Sequence, residues 1–418
     1  MNPERIIAGL DIGSAKTTVV IAEAVGDRKS NPSLRILGVG QARTTGLRKG
    51  VVSDIEETTR SIKKAVEDAE RMAGTKIDAI YAGIAGEHVR AMISKGIVAV
   101  NGEEISKADV DRANDVARAQ QVPQDRELLH AIPQEYSVDK NQGIRDPIGM
   151  IGTRLETEMY LVTIGASPAM NLRKSVEKAG YRVRELVLEP LASALSVLTE
   201  DEKELGVALV EMGAGTTDIA VFHEGKIRHL GTVNYGGNNV TSDIVQGMGV
   251  TQADAERLKE RYGCAYEPLV DPTDVIQLPS TVAQGERHIP REVLAHIIHQ
   301  RMDEIFNLVL NEIQRAGYAQ RLSGGVVITG GAAAMEGVAE LAADVFGTGV
   351  RIGSPSENIG GLSDSVDAPR FATVVGLALY GAHRAAAGFS PTSKHRVFAG
   401  AGVNRFTKRL KTWLEDFF

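Results

Sequence analysis

One hydrophobic pattern occurs twice in this chain, about two hundred residues apart. Residues 5–23 read Arg-Ile-Ile-Ala-Gly-Leu-Asp-Ile-Gly-Ser-Ala-Lys-Thr-Thr-Val-Val-Ile-Ala-Glu. Residues 205–222 read Leu-Gly-Val-Ala-Leu-Val-Glu-Met-Gly-Ala-Gly-Thr-Thr-Asp-Ile-Ala-Val-Phe. Each predicts an apolar strand ending in a carboxylate, a turn of small residues, and a second β-branched strand. Asp11 and Glu211 hold equivalent places. Glu224 and Gly225 then predict a hairpin into a third strand that runs to about Val233. A repeat of this length points to duplicated halves.

Between and after the halves, helical and strand patterns alternate. Ser53 with Glu56 predicts a capping box for a helix whose apolar face is Ile55, Ile62, Val66 and Ala69 and which ends near Gly74. Residues 77–85 read as a strand. Glu189 and Pro190 open an Ala/Ser/Leu-rich helix to about Leu198, and residues 201–204 read as an exposed turn. Residues 326–331 predict a buried strand that meets a glycine turn, then a helix over 335–346. A long helix over about 291–316 has Leu294, Ile298, Ile305 and Leu308 on its apolar face, and 372–380 predict a small, apolar helix. Residues 385–403 have the composition of a flexible linker. In the last fifteen residues Phe406, Leu410, Trp413, Leu414, Phe417 and Phe418 fall on one helical stripe, with Lys408, Arg409 and Lys411 on the other faces.

A length of 418 residues exceeds one ordinary core, and 43% hydrophobic with 24% charged residues is a globular composition. A single cysteine, Cys264, excludes an internal disulfide and a multi-cysteine metal site, and nine scattered histidines give no zinc spacing. The start of the chain is too acidic for a signal peptide, and no run approaches the roughly 18 apolar residues of a membrane span. Net charge is −7, but residues 394–418 carry +4, so the rest carries −11. An acidic body argues against nucleic acid, and a basic tail suggests an anionic partner.

The order of the turn motifs carries the chemistry. In a Walker loop or a dinucleotide fingerprint the glycine turn leads into a helix. Here both turns lead into strands, which gives two hairpin loops able to grip a phosphate chain from opposite sides. Backbone N–H groups in such turns face anions, and Ser14, Lys16 and Thr17 add two hydroxyls and a cation. Taken singly, each turn reads equally as an ordinary hairpin. Glu189 reads either as a functional acid or as a helix cap. Glu256 and Lys259 read as partners on one helix face.

Five motifs in this order resemble the actin, heat-shock-ATPase and sugar-kinase superfamily. They are the first turn (11–17), the first connecting helix from Glu189, the second turn (211–218), Thr329-Gly330-Gly331-Ala332, and the second connecting helix with Gly376. Within that superfamily the chain resembles the FtsA family of bacterial cell division proteins. The segments 198–207, Val240-Thr241-Ser242-Asp243-Ile244 and Arg261-Tyr262-Gly263-Cys264-Ala265 carry the likeness, with an insertion over 86–165 and the amphipathic C-terminus.

The resemblance implies an α/β, actin-like fold of two duplicated domains around a nucleotide cleft, with an FtsA-type inserted subdomain and a C-terminal amphipathic helix. The expected division is 1–85, 166–204 and 365–384 for the first domain, 86–165 for the insert, and 205–235, 236–304 and 305–364 for the second. The linker 385–403 and a membrane-targeting helix 404–418 follow. It implies ATP and Mg2+ as cofactors. Phosphates fall to Gly13, Ser14, Lys16, Thr17, Gly213, Gly215, Thr216 and Thr217, and water-bound Mg2+ to Asp11 and Glu211. Ribose and base fall to Gly236, Gly237, Glu256, Lys259, Gly330, Gly331 and Ala332. Glu189 takes the place of a catalytic carboxylate. Glu211 departs from the family's aspartate, so at most weak ATPase activity is expected. Arg291, Arg301 and Glu304 would bind the C-terminal peptide of the tubulin-like FtsZ. Phe406, Leu410, Trp413, Leu414, Phe417 and Phe418 would bind an anionic membrane surface. The implied role is a polymerising tether of FtsZ, together with other division proteins, at the cytoplasmic face of the inner membrane at the septum. The competing expectation is a pilus-assembly-type actin-like ATPase or another ATP-driven enzyme of the superfamily.

Overall fold

The computed structural model describes residues 5–26, 32–278, 287–355 and 359–386. It divides into two compact units, one containing Pro32–Glu87 and Lys174–Arg384 with the strands before Val25, the other built on His88–Arg173.

In the larger unit β1 (Ile6–Ile12), β2 (Lys16–Val25) and β3 (Ser33–Arg43) run antiparallel in sequence. A small hairpin of β4 (Leu47–Arg48) and β5 (Val51–Val52) leads into α1 (Ile55–Ala73), and β6 (Ala79–Ile84) lies parallel to β1. Helix α1 approaches β3 closely. A Cβ on Gly40 would sit 1.9 Å from the Ala65 carbonyl oxygen, so only glycine fits beneath the helix. Asp54, not Ser53, caps α1. Its carboxylate accepts the Glu57 N–H at 2.9 Å, while the Ser53 N–H is already donated to the Gly46 carbonyl at 2.8 Å. Gly74 ends the helix at φ 64, as expected.

The chain then forms the second unit from β7 (Arg90–Ala99), α2 (Lys107–Arg118), β8 (Arg126–Val138), β9 (Asn141–Ile144) and β10 (Arg154–Gly165). These strands make one antiparallel sheet in the order β7-β10-β8-β9. Helix α2 lies on β7, where the Ser94 hydroxyl donates to the Ala117 carbonyl at 2.8 Å and Gly96 leaves room for the Ala113 backbone. Pro133 stands at a register shift opposite Met159, where a residue without an N–H costs the ladder least.

After α3 (Ala166–Lys178), β11 (Arg182–Leu188) joins the first sheet parallel to β6, and α4 (Glu189–Val197) leads toward the second sheet. Residues 200–205 form a short helix, α5 (Glu200–Leu205), rather than an exposed turn. The Thr199 side chain and Glu202 cap each other's backbone, and Glu202 is fixed by Arg351 at 2.6 and 2.7 Å. Lys203, only 2% exposed, pairs with Glu200 at 2.9 Å.

The second half repeats the first. Strands β12 (Val207–Met212), β13 (Thr217–His223) and β14 (Lys226–Val233) run antiparallel. They are followed by α6 (Gly237–Met248), α7 (Gln252–Tyr262), the pair β15 (Val275–Leu278) and β16 (Arg287–Pro290), and α8 (Arg291–Arg315). Strand β17 (Val326–Thr329) lies parallel to β12. A short 3-10 turn over Gly331–Ala334 then precedes α9 (Val338–Phe346). That helix starts three residues later than the sequence suggests, because Gly337 takes a left-handed φ of 78. β18 (Val350–Ile352) completes the second sheet, β19 (Ile359–Gly361) returns to the first beside β3, and α10 (Ala372–Ala386) follows.

The duplication is explicit in the strand orders. The first sheet runs β11-β6-β1-β2-β3-β19, and the second runs β18-β17-β12-β13-β14. In each, an antiparallel three-strand meander is extended beside its first strand by two parallel strands, and in the first sheet β19 adds a further parallel strand beside β3. β6, β12 and β17 are buried along their whole length, as strands covered on both faces must be. The second-half core gathers Val210, Ile219, Ile244, Ile298, Phe306 and Ile328 between sheet and helices.

Candidate nucleotide site

Each meander begins with the same closed turn. The Gly13 N–H donates to the Lys16 carbonyl at 3.1 Å, and the Gly213 N–H donates to the Thr216 carbonyl at 2.9 Å. The two turns touch. A Cβ on Gly215 would lie 2.6 Å from Ser14 Oγ, a separation that real side chains do not tolerate. Lys16 is exposed at the rim of the first turn, and Ser14 and Thr216 are half-buried beside the contact. Thr17 and Thr217 point the other way. Both are fully buried; the Thr17 hydroxyl bonds Thr44 at 2.8 Å, and that of Thr217 donates to the Tyr235 carbonyl at 2.9 Å. They anchor the turns from beneath, which corrects the expectation that they face a phosphate.

Four carboxylates converge behind the turns: Asp11, Glu189, Glu211 and Asp218. Burial raises Asp11 to about 7, Glu211 to about 8 and Asp218 to about 6. Glu189 is pushed well above the carboxylate range by burial first and then by the charges of Asp11, Glu211 and Asp218. Glu189 is the first residue of α4, but Leu188 holds the cap position and no side chain caps this helix end. The capping reading of Glu189 is therefore wrong. Its carboxyl lies over Gly83, where a Cβ would come within 2.8 Å of Glu189 Cγ.

These acids divide into two kinds. Asp218 accepts from Thr232 at 2.6 Å and from Thr216 at 3.1 Å. Glu211 accepts from Ser193 of α4 at 2.9 Å and from Thr373 of α10. Among the described residues no hydrogen bond reaches the carboxyls of Asp11 and Glu189. Asp11 is thus suited to face a hydrated magnesium ion, whereas both oxygens of Glu211 already have donors. No group of three or more His, Cys, Asp or Glu side chains able to hold a metal ion occurs among the described residues.

A second cradle lies beside the second turn. The N–H groups of Gly237 and Asn238, opening α6, donate to the carbonyls of Gly213 (3.0 Å) and Ala214 (2.8 Å). Lys259 of α7 reaches back to the Gly237 carbonyl (3.0 Å), Thr241 (2.7 Å) and Glu256 (2.8 Å). A Cβ on Gly237 would meet Lys259 Nζ at 3.6 Å and the Ala332 Cβ at 3.8 Å. Gly330 packs against the Met212 backbone at φ 92, while Gly331 has open space where a Cβ would stand. Gly236, Gly237, Glu256, Lys259 and Ala332 therefore form one cluster, with Gly330 and Gly331 opening the turn that carries Ala332.

The expected partner residues lie on α8. Arg291 is held internally, by the Tyr262 carbonyl at 2.9 Å, Asp274 at 3.3 Å and Glu336. Arg301 pairs with Asp243 at 2.5 Å and with Glu304, and its guanidinium lies 5.6 Å from the Tyr235 ring centre. Arg301 and Glu304 share one surface; Arg291 is committed elsewhere. Phe406, Leu410, Trp413, Leu414, Phe417 and Phe418, with the linker beyond Ala386, lie outside the described residues.

Sequence reasoning missed Gly83, Ser193, Asp218 and Thr373 as site residues. Ser193 and Thr373 did leave a signal, since each is a hydroxyl within a mostly apolar stretch of its helix. Asp218 stands in the second motif itself, and its pairing with Glu211 across the β12–β13 ladder would have placed it.

Duplicated meanders, touching glycine turns and two helices crossing behind them define an actin-like protein. Solved structures agree on the fold. A PilM-PilN type IV pilus biogenesis complex matches with a TM-score of 0.63 at 16% identity over 90% of this chain and 98% of that chain. MreB5 of Spiroplasma citri bound to ADP matches at 0.52 and 16%, over 90% and 96%. The model of the family described as cell division protein FtsA matches residues 208–376, and that of the SHS2 domain inserted in FtsA matches 86–163. FtsA of Pseudomonas aeruginosa is 40% identical over 99% of this chain and 98% of its own length. FtsA of Escherichia coli K12 is 38% identical over the same shares. The chain belongs to the FtsA family of actin-like cell division proteins.

Proposed function

We propose that the chain is a nucleotide-dependent adaptor that binds magnesium-ATP, polymerises, and tethers FtsZ filaments to the cytoplasmic face of the membrane at the septum. The observation that carries the nucleotide part is the contact of Gly215 with Ser14. It sets two backbone turns against each other with Lys16 at the rim and the Gly237–Lys259–Ala332 cluster alongside. Lys16, Ser14 and the turn N–H groups would hold phosphates, and Asp11 a hydrated magnesium ion, which supplies charge neutralisation. The Gly237–Lys259 cluster and the Gly331 turn would take sugar and base.

Glu189 would orient an attacking water. Burial first, and then the charges of Asp11, Glu211 and Asp218, disfavour its ionised form in the ligand-free protein, so it is poorly prepared to accept a proton from water, which supports slow hydrolysis and a switching role. Arg301 and Glu304 would receive the FtsZ peptide, and residues 404–418 would bind the bilayer. No helix among the described residues is long and apolar enough to cross a membrane.

Calorimetry of ATP binding with the parent and Lys16→Ala tests the core of this reading. Loss of a charged hydrogen bond worth about 1.5–3 kcal/mol should weaken affinity at least tenfold. Unchanged affinity would overturn the phosphate assignment. Pelleting with anionic vesicles, with and without ATP and the FtsZ peptide, tests the adaptor role.

A further inference from the structure

Helices α4 and α10 cross in close contact in the larger unit. A Cβ on Gly376 of α10 would fall 1.8 Å from the Ala192 carbonyl oxygen of α4, so the two backbones are in contact. Beside that contact the Ser196 hydroxyl donates to the Ala372 carbonyl at 2.7 Å, and the hydroxyls of Ser193 and Thr373 lie 3.1 Å apart. α4 carries the chain from the first sheet to the second. α10 follows its return and packs on the first, where Gly9 of β1 admits the Val374 carbonyl and Gly381 lies against Tyr81. Rotation of one half against the other would shear this crossing.

Glu211 belongs to neither helix. It stands near the end of β12 in the second sheet, 9% exposed, and Ser193 and Thr373 each donate to one of its oxygens. We propose that Glu211 is a hinge tie. Its carboxylate binds the second half to both crossing helices at once, and Ser193 and Thr373 are positioning residues that hold it away from a metal-facing pose. The extra methylene of glutamate over aspartate provides the reach to two hydroxyls on different helices. The cation-facing acid of the site is then Asp11 alone. Site occupancy is read by the hinge through the β12 end that carries both Glu211 and the second turn.

The tie stands on geometry independent of any nucleotide; its consequence for nucleotide response rests on the function proposed above. The test is hydrogen exchange of α4 and α10 in four proteins: parent, Glu211→Asp, Glu211→Gln, and Ser193→Ala with Thr373→Val. Without ligand, Glu211→Asp and the double variant should exchange about tenfold faster in both helices, as expected for loss of hydrogen bonds to a buried acid. Glu211→Gln, which keeps length and hydrogen-bonding capacity, should exchange like the parent. Unchanged exchange in both shortened forms would overturn the tie.

With magnesium-ATP, Glu211→Asp should bind within about threefold of the parent, because the tie is not a ligand contact. Protection induced by nucleotide in α4 and α10 should be lost. If Glu211→Gln loses tenfold or more of affinity with magnesium but not with EDTA, Glu211 faces the metal and the proposal fails. If the parent binds no ATP, the nucleotide reading fails while the ligand-free exchange still decides the tie.

Discussion

Gly215 and Ser14 meet tip to tip: the glycine of the second turn has no room for a Cβ because Ser14 Oγ would be 2.6 Å away. This one contact brings together residues two hundred positions apart in sequence. It sets the spacing between the two sets of backbone N–H groups on which an anion site depends.

Gly215→Ala is expected to wedge the turns apart. The methyl meets Ser14 at both Oγ and Cβ, the latter at 3.1 Å, so rotation of the hydroxyl alone cannot relieve it. Overpacking of this kind costs about 1–3 kcal/mol. ATP affinity by calorimetry should fall at least tenfold with only a small change in melting temperature. A variant that binds ATP like the parent would show that the turns do not act as a pair.

Much of this arrangement was legible in the sequence because it is written twice. The carboxylate-ended strand and the glycine turn at Asp11 and Glu211 gave the first two strands of each meander and the paired turns between them, while the third strand was legible only in the second half, from Glu224 and Gly225. The sequence could not show which way a side chain faces. Thr17 and Thr217 lie at the start of their strands, where alternation turns their hydroxyls into the core. Asp54 displaced Ser53 as the cap because the helix begins at Ile55, which puts the Asp54 carboxylate, one residue later than expected, within reach of the Glu57 N–H. Glu189 read either as a functional acid or as a cap from Glu-Pro alone, while only the fold brings Gly83 beneath it and three other acids beside it.

Charge at Arg301 should matter to partner binding, with a structural cost that needs its own control. Arg301→Glu would face Asp243 and Glu304, and it removes the contact with Tyr235. We expect weaker binding of the FtsZ peptide in a fluorescence titration, unchanged ATP affinity, and a lowered melting temperature. Glu304→Gln leaves the Arg301–Asp243 pair intact, and should weaken the peptide without lowering stability. Peptide affinity unaltered in both variants would move the site elsewhere.

The stripe Phe406, Leu410, Trp413, Leu414, Phe417 and Phe418 is expected to bind anionic bilayers. Each nearby basic residue contributes about 1 kcal/mol at such a surface. One copy therefore binds modestly and an assembly of copies binds strongly through avidity. Trp413→Glu should shift the protein to the supernatant of a vesicle pelleting assay while ATP binding persists. Equal pelleting of variant and parent would place the anchor elsewhere.

The carboxylate cluster should make the ligand-free protein less stable as pH rises. Asp11, Glu211 and Asp218 hold protons in the folded state up to about 7, 8 and 6, whereas unfolded carboxyls release theirs near the ordinary 3.8 of aspartate and 4.5 of glutamate. Between those limits the unfolded chain binds fewer protons, so stability falls with rising pH. The contribution is complete below about pH 4 and gone above about pH 8. His383 works in the opposite sense. Burial and the Lys203 charge push it down to about 4, so its contribution rises with pH until the unfolded histidine is neutral, above the ordinary 6.5. The clean window is therefore pH 6.5–8, where Asp11 and Glu211 titrate and His383 no longer does. Melting temperature should decline across that window in the parent and decline less in Glu211→Gln, which has one fewer buried acid to ionise. Magnesium-ATP should flatten the slope further by supplying positive charge beside Asp11, and its binding should release protons. Calorimetry in two buffers of different ionisation enthalpy would detect that release. A melting temperature that rises from pH 6.5 to 8, or a slope equal in parent and Glu211→Gln, would show that the acids are already ionised in the ligand-free fold.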